Sequence, residues 1–150
     1  VTKTVQNLDG AGIIRVGDVV EVKVNFQTGE GRHPHRYVVL DDPLPAGLVA
    51  INSALKTEEP PPGGRSADEE RFWYRTDEGF YRFVPGFFEI RDDRVLAFRD
   101  YLWGGTYQYS YYARAVCQGE FVMPPTKVQL MYEPEVAGYT PADTLRIEAR

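Results

Sequence analysis

The stretch GGTYQYSYYARAVCQGEF, residues 104–121, constrains the fold of this chain more than any other. After two glycines, Tyr107, Tyr109, Tyr111, Ala113, Ala115 and Cys117 fall on alternate positions, while Gln108, Ser110, Tyr112, Arg114 and Val116 take the other parity. Successive side chains of an extended backbone point to opposite faces, so a period of two over this length predicts a long strand with one apolar face. The small residues Ala113 and Ala115 sit mid-face, where a packed partner sheet leaves little room. The same parity predicts that Cys117 is a buried, inert thiol, and one cysteine allows no internal disulfide.

Leu102, Gly105 and Tyr107 lead into that strand with L-x-x-G-x-Y spacing. This is similar to the tyrosine corner of sandwich domains, where a Tyr hydroxyl reaches back to the backbone at a sheet-to-sheet crossing. The remaining strands are placed around it. Residues 1–6 form a short entering strand, and 7–17 a turn with a short apolar return. In DVVEVKVNF (18–26), Val20, Val22, Val24 and Phe26 face inward. TGEGRHPHR (28–36) is a polar loop. YVVLDDPLPAG (37–47) has apolar residues on both parities and is covered on both faces. It ends near Asp41, because Pro43 and Pro45 cannot donate to a ladder.

LVAIN (48–52) is a short strand, TEEPPPGGRSADEE (57–70) an exposed loop, and FWYRTDEGFYRFVPGFF (72–88) a loop packed on by its own aromatics. FEIRDDRVLAF (88–98) reads as a hairpin turning at Asp92-Asp93, short acidic residues that tolerate the left-handed conformation. FVM (121–123) stops at Pro124-Pro125, and TKVQLMY (126–132) puts Val128, Leu130 and Tyr132 on one side. EPEVAGYTPAD (133–143) is a loop, and TLRIEAR (144–150) closes with Leu145, Ile147 and Ala149 inward. Seven to nine strands without an amphipathic helix predict one all-β domain over 1–150, an immunoglobulin- or fibronectin-III-like β-sandwich.

Several function classes lose support. Net charge is −5 with pI about 5.1 and no basic face, which argues against nucleic acid. No apolar run is long enough to cross a membrane as a helix. The chain starts at Val1 rather than Met, as a processed chain or a fragment does, so a missing targeting signal says nothing of location. His33 and His35 would need a third ligand to hold a metal, and a solvated loop explains them better. Asp41-Asp42 and Asp92-Asp93 are adjacent pairs whose side chains diverge along a strand, unlike carboxylates set across a cleft. Nucleophile and phosphate-loop motifs are missing. Cys117-Gln118-Gly119-Glu120 falls short of the internal-thioester motif C-x-E-Q, because Glu120 stands where a glutamine amide is needed. A non-catalytic domain without metal or cofactor is expected.

Met131-Tyr132 draws interest on other grounds. If the strand still runs there, one of the two looks away from the core, and a Met beside a Tyr suits a contact surface. If the strand has already broken, both tuck inward. On the residues alone the second reading has a slight edge.

The ordered motifs then match a family. FEIRDDRV, FRDYLWGGTYQYSYYARAV and QGEFVMPPTKVQLMYEPEVAGYT resemble the carboxy-terminal domain of bacterial alpha-2-macroglobulins: E-x-R-D-D-R-V, Y-x-x-R-A, G-x-F-x-x-P-P and M-Y-x-P-E in succession. YVVLDDPLPAGLVAIN is similar to an earlier segment of that domain, and only 53–86 goes unmatched. The resemblance implies a macroglobulin-like sandwich related to the receptor-binding domain of the animal proteins. It implies a parent that is a broad-spectrum endopeptidase inhibitor, a multidomain protease trap lipid-anchored at the inner membrane and facing the periplasm. In thioester-bearing members this domain covers the thioester of a neighbouring domain until a bait region is cut. Carried over, Met131 and Tyr132 become shielding residues, with Tyr139 a lesser candidate for the same surface. The implied partners are the thioester domain and other domains of the same polypeptide, and target proteases through the parent. Two alternatives remain: a free-standing immunoglobulin-like module binding a ligand through the aromatics of 72–88, and a hydrolase.

Overall fold

The computed structural model describes residues 1–52 and 79–150. The long strand is there as β9 (Gly105–Ala115), and its apolar parity is buried throughout: Tyr107, Tyr109, Tyr111, Ala113 and Ala115. It pairs antiparallel with β3 (Val19–Thr28) over ten residues, Val19↔Arg114 through Thr28↔Gly105. Val20, Val22, Val24 and Phe26 of β3 face the same core. Flanking this pair are β1 (Thr2–Asn7) on one side and β5 (Leu48–Ala50) on the other, with β6 (Tyr81–Arg82) joining β9 in parallel.

The facing sheet has the order β12 (Glu133–Tyr139), β11 (Lys127–Leu130), β4 (His35–Pro43), β8 (Arg94–Leu102), β7 (Phe87–Ile90). Its inward Val38, Leu40, Val95, Ala97 and Val128 complete the core with the first sheet. Val39, on the other parity, is also buried at 7% exposure, but Tyr37 on that parity is exposed, so the second face of β4 is covered in part rather than throughout. A third sheet of β10 (Gly119–Met123), β13 (Asp143–Glu148) and β2 (Ile14–Arg15) closes one edge with Met123, Leu145, Ile147 and Ile14. Gly47 is required where that edge meets the core: a Cβ there would lie 2.5 Å from the Phe121 ring and 2.7 Å from Ile147.

The tyrosine corner is formed. Tyr107 Oη donates to the Trp103 carbonyl at 2.7 Å. Around it the core is aromatic: Phe26 stacks on Tyr107 at 5.6 Å and meets Phe83 edge-on at 5.5 Å, and Phe83 meets Tyr109 edge-on at 5.9 Å. Such pairs add about 0.5–1.5 kcal/mol each beyond area burial.

The structure departs from expectation in several places. Thirteen strands stand among the described residues, more than seven to nine, in part because the two-residue strands β2 and β6 and strand β12 are invisible to periodicity. Residues 133–139 form β12 rather than a loop, with Lys127, Val128 and Gln129 opposite Tyr139, Gly138 and Ala137. β4 runs to Pro43, paired with Arg94, since a proline at the end of a ladder forfeits one donor and nothing more. Residues 53–78, including the 57–70 loop and the start of the aromatic stretch, lie outside the described residues. In the described part of that stretch, Tyr81 and Arg82 and then Phe87 and Phe88 are strand, Phe83 is core at 2% exposure, and Tyr81, Phe87 and Phe88 are exposed. Neither Asp92 nor Asp93 takes a left-handed φ, although Arg91 N–H does close the turn on the Arg94 carbonyl at 2.9 Å. Cys117 is exposed: β9 ends at Ala115, and the parity lapses before the thiol. Ala149 is exposed too, because β13 stops at Glu148.

Candidate contact site

Strand β11 ends at Leu130, which pairs with Glu133 across a two-residue turn made by Met131 and Tyr132. The β11–β12 register slips between Gln129 and Leu130, so that residues 134–136 bulge out of the ladder. Pro134 has no N–H to give that ladder, which fits a bulge there. Neither reading of Met131-Tyr132 describes the outcome: the strand has broken, yet both side chains point outward. Met131 is 43% and Tyr132 73% exposed.

The turn is held from behind by β4. Leu130 pairs with Val38, and one step further the Met131 N–H donates to the Tyr37 carbonyl at 2.8 Å. The Tyr37 ring meets Tyr132 edge-on, centroids 5.1 Å apart and planes at 89°. Arg36 lies 5.7 Å from the Tyr37 ring and 5.0 Å from the Tyr101 ring, and its Nη2 donates to Tyr101 Oη at 2.9 Å. Tyr37 and Tyr101 are themselves exposed, at 40% and 52%. The tip is therefore a small aromatic and thioether surface on the β11–β12 turn at the edge of the facing five-stranded sheet, backed by a tyrosine and an arginine.

Tyr139 is exposed but stands at the other end of the β11–β12 hairpin, opposite Lys127, whose Nζ is 5.8 Å from its ring. Four residues separate Lys127 from Met131, roughly 13 Å at about 3.3 Å per residue. The structure brings Met131 and Tyr132 together and leaves Tyr139 apart from them.

Sequence reasoning missed Tyr37, whose apolar neighbours Val38 and Val39 mark only a strand. It also missed Asp42. That carboxylate is fully buried and accepts from Lys3 Nζ at 2.6 Å, Thr126 Oγ1 at 2.6 Å and Tyr111 Oη at 2.5 Å. It ties β1, β9 and the start of β11 to β4. Of the two histidines, His33 is exposed, and His35 Nε2 lies 2.8 Å from the Gly29 carbonyl. No group of three His, Cys, Asp or Glu side chains that could hold a metal occurs among the described residues.

An all-β sandwich of facing sheets with a tyrosine corner is an architecture that macroglobulin domains share with other sandwich families. The chain matches the Bacterial Alpha-2-macroglobulin MG10 domain over residues 1–135, and it belongs to that family. It is 32% identical over 117 residues, 78% of its length, to an alpha-2-macroglobulin homolog of Nostoc sp.. To an alpha-2-macroglobulin of Thermotoga maritima it is 27% identical over 136 residues, 91% of its length. It spans 5% and 8% of the lengths of these two relatives. Among solved structures it matches Escherichia coli alpha-2-macroglobulin activated by porcine elastase with a TM-score of 0.74, at 24% identity over 98% of this chain and 13% of that one. It matches Salmonella alpha-2-macroglobulin reacted with methylamine with a TM-score of 0.68, at 21% identity over 98% of this chain and 9% of that one. At these identities the two structures speak for the fold.

Proposed function

We propose that this domain is a non-catalytic part of a bacterial protease-trapping inhibitor, and that its Met131-Tyr132 tip packs over a reactive thioester in a neighbouring domain of the same polypeptide. The observation that carries the reading is the exposed tip itself, in a chain that belongs to the MG10 family. A Met and a Tyr at 43% and 73% exposure offer apolar surface that the domain's own core does not use. Burying such a side chain against a partner contributes about 1.5–3 kcal/mol. A thioester persists only where water is kept from its carbonyl, and a thioether beside a phenol ring makes a dry cover. The contact is small enough to part when the trap rearranges after bait cleavage, as interdomain contacts of modest area do. In this reading the parent faces the periplasm and is lipid-anchored to the inner membrane. Its partners are its own domains and, through them, the trapped proteases.

The test is made in the intact parent. Met131→Asp or Tyr132→Asp is expected to raise the rate of thiol release by methylamine about tenfold or more, equivalent to losing one such contact. A rate equal to that of the unaltered parent removes the reading.

A further inference from the structure

We propose that Tyr37 is the positioning residue of the Met131-Tyr132 tip. Among the described residues it is the non-glycine residue with a positive φ, at 56°. That region is costly for a bulky side chain and persists only where the surroundings impose it. No inserted residue forces it here. The β4–β8 register runs evenly past it, His35↔Leu102, Arg36↔Tyr101, Val38↔Arg99.

What the conformation accomplishes is local to the tip. It turns the Tyr37 carbonyl to the Met131 N–H, extending the β4–β11 pairing one step beyond its last regular pair, Val38↔Leu130. It also sends the ring outward, where its contact with Tyr132 at 5.1 Å sets that ring's orientation. Arg36, held against Tyr101, also lies 5.7 Å from the Tyr37 ring. Here one residue holds the backbone of Met131 and the ring of Tyr132 together. The proposal rests on the shielding reading for its purpose, but its geometry is separable from it.

The experiment uses the intact parent and three variants. Tyr37→Phe keeps the ring. Tyr37→Gly keeps the left-handed backbone and loses the ring. Tyr37→Val loses the ring and resists the backbone conformation. Two quantities are read: exchange of the Met131 amide hydrogen, and oxidation of Met131 to its sulfoxide by dilute peroxide, with the melting temperature as control. Tyr37→Val is expected to speed amide exchange about fivefold or more, the effect of one lost hydrogen bond. Tyr37→Gly is expected to leave the amide protected yet raise Met131 oxidation as far as Tyr132→Ala does. Tyr37→Phe is expected to match the unaltered protein in both. Unchanged exchange in Tyr37→Val overturns the proposal. So does unchanged oxidation in Tyr37→Gly where Tyr132→Ala raises it. Should Tyr37→Val fail to fold, the Gly and Phe comparison still decides. If Met131 of the unaltered parent already oxidises as fast as free methionine, the shielding reading falls, and the exchange measurement alone judges Tyr37.

Discussion

The Tyr111 hydroxyl donates to Asp42 Oδ2 at 2.5 Å across the interior of the sandwich, one of the hydrogen bonds that join the two large sheets at this carboxylate. The other carboxylate oxygen takes the Lys3 ammonium and the Thr126 hydroxyl, both at 2.6 Å. Asp42 is 0% exposed, and the Lys3 side chain 4%. Burying this pair costs several kcal/mol per ion, and the three donors around one carboxylate offset that cost. Removing one partner leaves the other charge desolvated and unpaired. Asp42→Asn and Lys3→Met are each expected to destabilise the chain by about 3–5 kcal/mol. The double variant should cost less than their sum, which urea unfolding of all four proteins measures.

The burial of Tyr111 beside Asp42 makes stability depend on alkaline pH. Burial first, then the charge of Asp42, its hydrogen bond and the neighbouring Tyr109, push the Tyr111 phenol well above its ordinary value. In the unfolded chain the phenol ionises near pH 10. Above that pH the unfolded state sheds a proton that the folded state retains, so deprotonation favours unfolding. The contribution is whole below about pH 10 and declines as pH rises beyond it. Unfolding followed at pH 9, 10 and 11 should show a steeper loss for the unaltered chain than for Tyr111→Phe.

The tyrosine corner predicts a smaller effect. Tyr107 Oη reaches the Trp103 carbonyl at 2.7 Å while its ring stays stacked on Phe26. Tyr107→Phe keeps the stacking and deletes the bond, for an expected loss of about 1 kcal/mol. Tyr107→Ala removes both, and the resulting cavity is expected to cost about 3–5 kcal/mol by the same unfolding measurement.

Where a strand is half-buried its side chains reveal it, and β3 and β9 are legible residue by residue for that reason. The corner tyrosine is legible because a fixed spacing, L-x-x-G-x-Y, creates it. The two-residue strands β2 and β6 are held by pairing with partners distant in sequence, and no period can develop in so short a run. Parity also fails where a strand ends, since alternation carries no signal for the last paired residue. It misplaces Cys117 and Ala149 for this reason. At the candidate site Met131 and Tyr132 are legible as an odd pair of bulky residues before Glu-Pro-Glu. Tyr37 is not, because its positive φ belongs to its tertiary setting. Asp42 is read as a strand end before proline, when its role depends on Lys3, Tyr111 and Thr126, brought to it from three other segments.

The tip itself should separate local stability from contact. Tyr132 is 73% exposed and its ring touches Tyr37 at one edge, so the domain's fold depends little on it. Tyr132→Ala is expected to change unfolding free energy by less than about 0.5–1.5 kcal/mol, the range for losing one aromatic pair. A buried core residue such as Leu40, 0% exposed, should cost about 2–5 kcal/mol when cut to alanine. If the tip acts on another domain, the order reverses in the intact parent: Tyr132→Ala then moves methylamine-triggered thiol release more than Leu40→Ala does at a temperature where both remain folded. A Tyr132→Ala variant that unfolds as readily as Leu40→Ala would mark the tip as part of the core's own support, and its exposure would need another explanation.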